Sequence, residues 1–268
     1  MPETELEWKQ WAAAREASVS RPHGPLALVA THWLSDGPGV RLEGVPGEWA
    51  AAGRRVRVRA EAAEGLLLNK AVVDGEQVLN PDLAADPDVL MHGERKLVPI
   101  LRDGALALRV YDPDSQARRD FAAIDRYPHD PALVLPARFE PYVHGHVEQV
   151  LNADGRERGL ELDGDVVFEL GDEEYRLAAG RDGATLSITF GDATNGSETF
   201  GFRQLTVPLP AGDAGAGRSA SPATTIDFNR ATLPPCAFSD HFICPVPPVG
   251  NRLPTAIAGG EKRRLDKS

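Results

Sequence analysis

The chain has 268 residues, and 29 Lys and Arg against 40 Asp and Glu give a formal net charge of −11 at pH 7. Such an acidic balance offers no electrostatic footprint for nucleic acid or for anionic lipid, so neither is expected as a partner. No run of about 18 apolar residues occurs, the N-terminal MPETELEWKQW is acidic rather than signal-like, and only two cysteines are present, so no membrane span and a cytoplasmic location are expected.

With 26 Gly and 22 Pro the composition favours many turns and short strands over long helices. One helix is predicted, within residues 1–22, where Thr4 and Glu7 have capping-box spacing and Trp8, Trp11 and Ala12 fall on one face. From Leu26 onward the patterns are those of strands. LALVATHWL ends in a Ser-Asp-Gly-Pro cluster, and RRVRVRAEA alternates Val56 and Val58 against Arg57 and Arg59. Hairpin turns are predicted at Asp74-Gly75, Asp103-Gly104, Asp163-Gly164 and Asp182-Gly183, each between apolar runs. Trp33 and Trp49 read as core.

These signals give an all-β, antiparallel sandwich or barrel-like fold with one N-terminal helix. A break near Pro131 to Pro136 separates an N-terminal β half, 23–135, from a C-terminal β half, 136–268, and the two can equally form one continuous domain. AGDAGAGRSASPA, 211–223, reads as a low-complexity loop, and Lys262, Arg263, Arg264 and Lys267 as a solvated tail. Between them, Thr225 to Lys262 holds both cysteines, many prolines and Phe228, Phe238 and Phe242. Its Pro content precludes regular structure while its aromatics argue for order, so an ordered irregular segment is expected.

Three groups of residues could carry chemistry. Cys236 and Cys244 stand eight positions apart with His241 between them. That spacing is poor for zinc, and a disulfide, worth about 2.5 kcal/mol by loop closure, is disfavoured in a reducing compartment. A nucleophilic Cys would need a base such as His241, while the plainer reading is two buried cysteines acting as small hydrophobes. In YVHGHVEQV, strand alternation would project His144, His146 and Glu148 from one face, a donor set suited to a divalent metal, with His241 as a distant ligand. A solvated polar face is the commoner use of such alternation. The third group is polar: Asp192, Thr199, Arg203, Asp227 and Asn229 near the late strands, with Arg109 and Arg138 among apolar neighbours. A covered Arg needs a carboxylate or an anionic ligand. No phosphate-binding glycine loop, nucleophile elbow or H-E-x-x-H helix is present.

The motifs R-V-Y-D (109–112), RYPHDP…ARFEPY (126–142), F-G-D-A-T-N-G…T-F (190–200), D-F-N (227–229), P-P-C-A-F (234–238) and C-P-V-P-P…N-R-L-P…G-G-E-K (244–262) resemble a bacterial family of unknown function, DUF1684. The resemblance implies an all-β protein whose N-terminal half is similar to forkhead-associated β-sandwiches. It implies no activity, and it marks Asp227, Asn229, Cys236, Cys244, Asn251, Arg252 and Glu261 as signature positions. Ala231-Thr232-Leu233 before Pro234 departs from the family's N-P-x-C pattern, and His144, His146 and His241 are not family features.

The expected function is binding of a small polar or anionic ligand beside the C-terminal segment, by residues drawn from Arg109, Arg138, Asp192, Thr199, Arg203, Asp227, Asn229, Cys236, Cys244, Asn251 and Arg252. A metal-dependent enzyme using His144, His146 and Glu148 is one alternative. A non-catalytic forkhead-associated-like module is the other, although 26–80 lacks the Arg, Ser and Asn cluster that phosphopeptide recognition needs.

Overall fold

The computed structural model describes residues 5–210 and 223–267. Thr4 and residues 211–222 of the small-residue loop lie outside that range. The chain forms two compact units, one of residues 17–120 and one that joins the N-terminal residues up to Glu16 with everything from Phe121 onward.

Helix α1 (Glu5–Val19) starts with Glu5 and Glu7 in its first turn, where carboxylates oppose the positive end of the helix dipole. Its covered side carries Trp8, Trp11 and Ala12, the face anticipated from their spacing, and Arg15 as well.

In the unit of residues 17–120, ten strands follow in chain order: β1 (Leu28–Leu34), β2 (Val40–Arg41), β3 (Glu48–Ala52), β4 (Arg55–Ala60), β5 (Leu66–Leu68), β6 (Ala71–Val72), β7 (Gly75–Leu79), β8 (Leu90–His92), β9 (Arg95–Arg102) and β10 (Ala105–Tyr111). A short helix, α2 (Gln116–Asp120), ends the unit. The strands make two antiparallel sheets, β1-β10-β9-β8-β5-β6 and β2-β3-β4-β7, which share one core around Trp49, Val56, Val58, Leu66, Leu97 and Leu108. In β4 the period of two is plain: Val56 and Val58 are fully covered while Arg55 and Arg59 face solvent.

Asp103-Gly104 forms the expected hairpin turn, with Arg102 paired to Ala105. Asp74-Gly75 does not. The run before it pairs with β5 and the run after it with β4, so this is a crossover between sheets. Val73, 2% exposed and bonded through its amide to the Leu66 carbonyl, sinks into the shared core and sends the two runs to different sheets.

The second unit contains β11 (Phe121–Arg126), β12 (Val134–Leu151), β13 (Glu157–Leu170), β14 (Glu173–Asp182), β15 (Thr185–Phe190), β16 (Arg203–Pro208), β17 (Ala223–Asp227) and β18 (Glu261–Asp266). Six of them form the antiparallel sheet β16-β15-β14-β13-β12-β17. Thr224 Oγ1 donates to the Pro208 carbonyl at 2.7 Å, drawing β17 toward β16 and leaving the sheet nearly closed, barrel-like. Its interior is aromatic, with Phe228 set edge-on to Phe168 and Phe190 at ring separations of 5.4 and 5.7 Å.

Asp182-Gly183 closes the β14–β15 hairpin as anticipated, but Asp163-Gly164 lies inside β13. Only glycine fits at 164, because a Cβ would come within 2.5 Å of the Glu140 carbonyl and 2.6 Å of the Phe139 ring. The turn between β12 and β13 is made by Asn152 to Gly155 instead, with Gly155 at φ +78°. The basic C-terminal run is likewise no loose tail. Lys262, Arg263 and Arg264 lie in β18, paired antiparallel with β11, and Lys262 meets Asp125 at 3.1 Å.

Candidate functional site

The Pro-rich stretch after β17 is ordered and irregular, built from short 3₁₀ turns at Phe228–Arg230, Pro235–Ala237 and Val249–Asn251. Irregular backbone next to a core must find hydrogen bonds outside regular ladders. Here buried polar side chains supply them, and several are the residues singled out in the sequence.

Arg203 and Asp192 form an ion pair at 2.7 Å with both side chains wholly covered. The Arg203 guanidinium also donates to the carbonyls of Ile257 (2.9 Å) and Gly259, and lies over the Phe190 ring. The other Asp192 oxygen accepts from the Thr194 amide, the Thr194 hydroxyl and the Ile257 amide. Thr199 Oγ1 closes the cluster by bonding Thr194 Oγ1 at 2.9 Å and accepting from Asn195 Nδ2. A buried pair of this kind is tolerable only because nearly every lone pair and proton is used, and its product is the anchoring of residues 257–261.

Asn229 fastens a second point. Its amide oxygen accepts from the Asp130 amide at 2.8 Å, and its Nδ2 donates to the Asp130 carbonyl and to Asp227 Oδ1. Trp8 Nε1 donates to the Asn229 carbonyl at 3.2 Å, tying α1 to the same spot.

Asn251 acts as a surrogate strand. β14 and β15 pair only from Gly180 to Asp182, so the backbone of Ala178 and Thr189 needs other partners. Asn251 Oδ1 accepts from the Ala178 amide at 2.7 Å, and its Nδ2 donates to the Ala178 and Thr189 carbonyls at 2.8 and 2.9 Å. The exposed Arg252 follows it, bridged in parallel to Gly191.

Glu261, 0% exposed, completes the set. Its carboxylate accepts from the Leu233 amide at 2.7 Å and faces Arg15 at 3.3 Å and Arg126 at 3.8 Å. Burial pushes its carboxyl above the usual range, against the pull of Arg15, the Leu233 amide and Arg126.

Cys236 and Cys244 are buried thiols with no disulfide between them, packed with Phe202 against Phe200, Phe242 and Val246. The Cys236 amide donates to Cys244 Sγ at 3.3 Å. The hydrogen bond to Cys244, with burial, pushes the Cys236 thiol well above its ordinary range. His241 is exposed in the intervening turn.

Arg138 sits on the outer sheet face in a ladder with Glu140 (2.9 Å), Glu174 (2.8 Å) and, through Glu140, Arg176. Arg109 belongs to β10 in the other unit, where desolvation lowers its guanidinium from the ordinary value and Tyr111 bonds to it.

One opening that the C-terminal segment borders lies on β12, β13 and β14. A groove of about 280 Å³ is lined by Tyr142, His146 and Glu148 of β12, Leu162 and Asp165 of β13, Arg176 and Ala178 of β14, and Pro248, Gly250 and Asn251. A wide bulge shapes it. Pro141 pairs with Gly164 and His146 with Leu162, so β12 takes five steps while β13 takes two. The bulge breaks the alternation on which a single His144, His146 and Glu148 face depended. His146 and Glu148 line the groove, whereas His144 does not. Among the described residues no group of three or more His, Cys, Asp or Glu side chains is arranged to hold a metal ion.

Inside the groove the Tyr142 hydroxyl donates to Asp165 Oδ1 at 2.5 Å, and the His146 ring stands edge-on to Tyr142. Desolvation, followed by Asp165, pushes the Tyr142 phenol upward, so it stays a protonated donor at neutral pH. Tyr142, Asp165 and Arg176 were not singled out from sequence. Their signal, a polar residue on each of three neighbouring strands, exists only once register is known.

The fold and these side chains define a β-rich protein with an irregular C-terminal segment pinned to a barrel-like sheet by buried polar groups. The family model for a protein of unknown function, DUF1684, matches residues 119–262, more than half of the chain, and the chain belongs to that family. Among solved structures it is similar to an uncharacterized protein of Haloarcula marismortui determined by solution NMR, at 29% identity and a TM-score of 0.43, over 54% of this chain and 79% of that one. No curated protein matches. Among the described residues no helix is long and apolar enough to cross a membrane.

Proposed function

We propose that this unit binds a small polar ligand in the groove between β12–β14 and Pro248 to Asn251. The observation that carries this reading is the groove itself: about 280 Å³, walled by the pinned segment and lined by ionisable side chains on a rigid sheet. The Tyr142 oxygen, whose proton goes to Asp165, would accept through its free lone pair, Glu148 and Asp165 would accept as well, and the two ring nitrogens of His146 would supply one donor and one acceptor. Arg176 is shared with Glu140 at 2.5 Å and Glu174 at 3.3 Å, which directs the groove toward a ligand with donors or a positive group rather than a multiply charged anion. The buried network of Arg203, Asp192, Asn229, Asn251 and Glu261 serves this site as its frame.

The test is a thermal-shift screen of the intact chain against amino acids, polyamines, sugars and dicarboxylates. A ligand at about 100 times its Kd stabilises by about 2.7 kcal/mol, which is readily seen as a raised Tm. The reading expects a stabilising compound whose effect is lost in His146→Ala with Glu148→Ala and kept in Arg252→Ala. A compound whose effect survives the double change, or a screen without hits, would count against the groove.

A further inference from the structure

Buried thiols outside the groove form a site of their own. Cys236 and Cys244 are 8% and 5% exposed, and the Cys244 sulfur lies 3.3 Å from the Cys236 amide, so the two side chains share one small apolar chamber. Each flank is anchored independently. Three residues before Cys236, the Leu233 amide is held by Glu261, and Cys244 accepts from the Ala153 amide at the end of the β12–β13 hairpin through its carbonyl. Two residues later the Val246 amide bonds the Leu151 carbonyl at 2.8 Å. The fold therefore holds the two sulfurs as neighbours from both sides of an irregular turn, where a pair of inert hydrophobes would need no such alignment.

We infer that Cys236 and Cys244 are a dithiol–disulfide couple, whose oxidised form locks the turn 236–244 against the β12–β13 hairpin. With glutathione disulfide as oxidant, one protein sulfur attacks it, its S–S bond breaks and one glutathione leaves carrying the proton. The second protein sulfur then displaces the other glutathione, so that two protein thiols and one glutathione disulfide become one protein disulfide and two glutathione thiols. Both sulfurs are covered, so exchange proceeds through brief opening of the exposed turn at Asp240 and His241.

The intact protein is equilibrated in glutathione buffers of graded redox poise, starting both from the reduced protein and from protein oxidised in advance. It is then quenched with N-ethylmaleimide in urea and weighed by mass spectrometry, and a parallel series is kept in urea throughout. The expected result is replacement of the doubly alkylated protein by an unalkylated form two hydrogens lighter, at one midpoint from both directions. The native midpoint should need about tenfold less glutathione disulfide, or lower still, than the unfolded chain, because the fold supplies the proximity. A raised Tm should accompany the oxidised form. Equal midpoints, native oxidation only to glutathione adducts, or oxidised protein that reverts to dithiol in the most oxidising native buffer would overturn the inference. None of these readouts depends on the groove.

Discussion

Asp192 and Asn251 show what the buried polar side chains do. Asp192→Asn would leave the Arg203 guanidinium covered and without its counter-charge, and breaking a buried pair in this way costs about 3–5 kcal/mol, measurable by urea denaturation. Asn251→Ala would strand the Ala178 amide and two carbonyls, at a cost of about 3 kcal/mol in the same experiment. Loss of less than about 1 kcal/mol in either case would contradict a framing role. Both residues were legible as special from sequence, but not their purpose. A polar residue in a Pro-rich stretch looks the same whether it faces a ligand or patches a splayed pair of strands, and only the pairing of β14 with β15 tells the two apart. The carboxylate of Glu64 gives a pH prediction in the unit of residues 17–120. The Glu61 amide, Arg41 and the Gly47 amide hold its pKa at about 2, below the ordinary 4.5 of a glutamate carboxyl. A depressed carboxyl pKa contributes stability that is present above about pH 4.5 and lost as pH falls through about 2. Glu64→Gln should flatten the acid limb of unfolding over that window, and an unchanged limb would show that the site does not titrate as described.

At the scale of elements, glycine was the ambiguous letter. Asp103-Gly104 and Asp182-Gly183 make hairpins, Asp74-Gly75 makes a crossover, and Gly164 is needed for close approach within a strand. Dipeptide chemistry reports local permissiveness for a turn, whereas strand pairing is decided by tertiary burial: of Val73, beside the first dipeptide, in the shared core, and of Gly164 against the Phe139 ring of another strand. Gly164→Ala and Gly155→Ala therefore make a discriminating pair. A Cβ at Gly155 meets nothing within 4 Å and incurs only the left-handed backbone penalty, about 1 kcal/mol. A Cβ at Gly164 collides with backbone and ring, and should cost about 3 kcal/mol or abolish folding. Equal effects in urea denaturation would contradict the placement of Gly164 inside β13. The bulge between Pro141 and His146 belongs to the same lesson. The period of two located His146 and Glu148 on one face, and the extra residues between Pro141 and His146, among which His144 falls, leave no compositional trace.

For the whole molecule, the all-β class, the N-terminal helix and the ordered Pro-rich segment were readable because each rests on local patterns repeated many times. The groove was not, because its lining comes from three strands and a turn that begins 70 residues after Ala178, brought together by register and by the path of the irregular segment. The central claim is that this groove, framed by the pinned segment, is where the protein meets its ligand. Its most direct test is a two-dimensional amide NMR titration of the labelled protein with the best-stabilising compound from the thermal screen. The account predicts saturable shifts concentrated at Tyr142, His146, Glu148, Asp165, Arg176 and Gly250, with Arg203 and Asn229 unmoved. Shifts that instead cluster at Asp192, Arg203 and Asn229, or that spread over the surface without saturating, would contradict it.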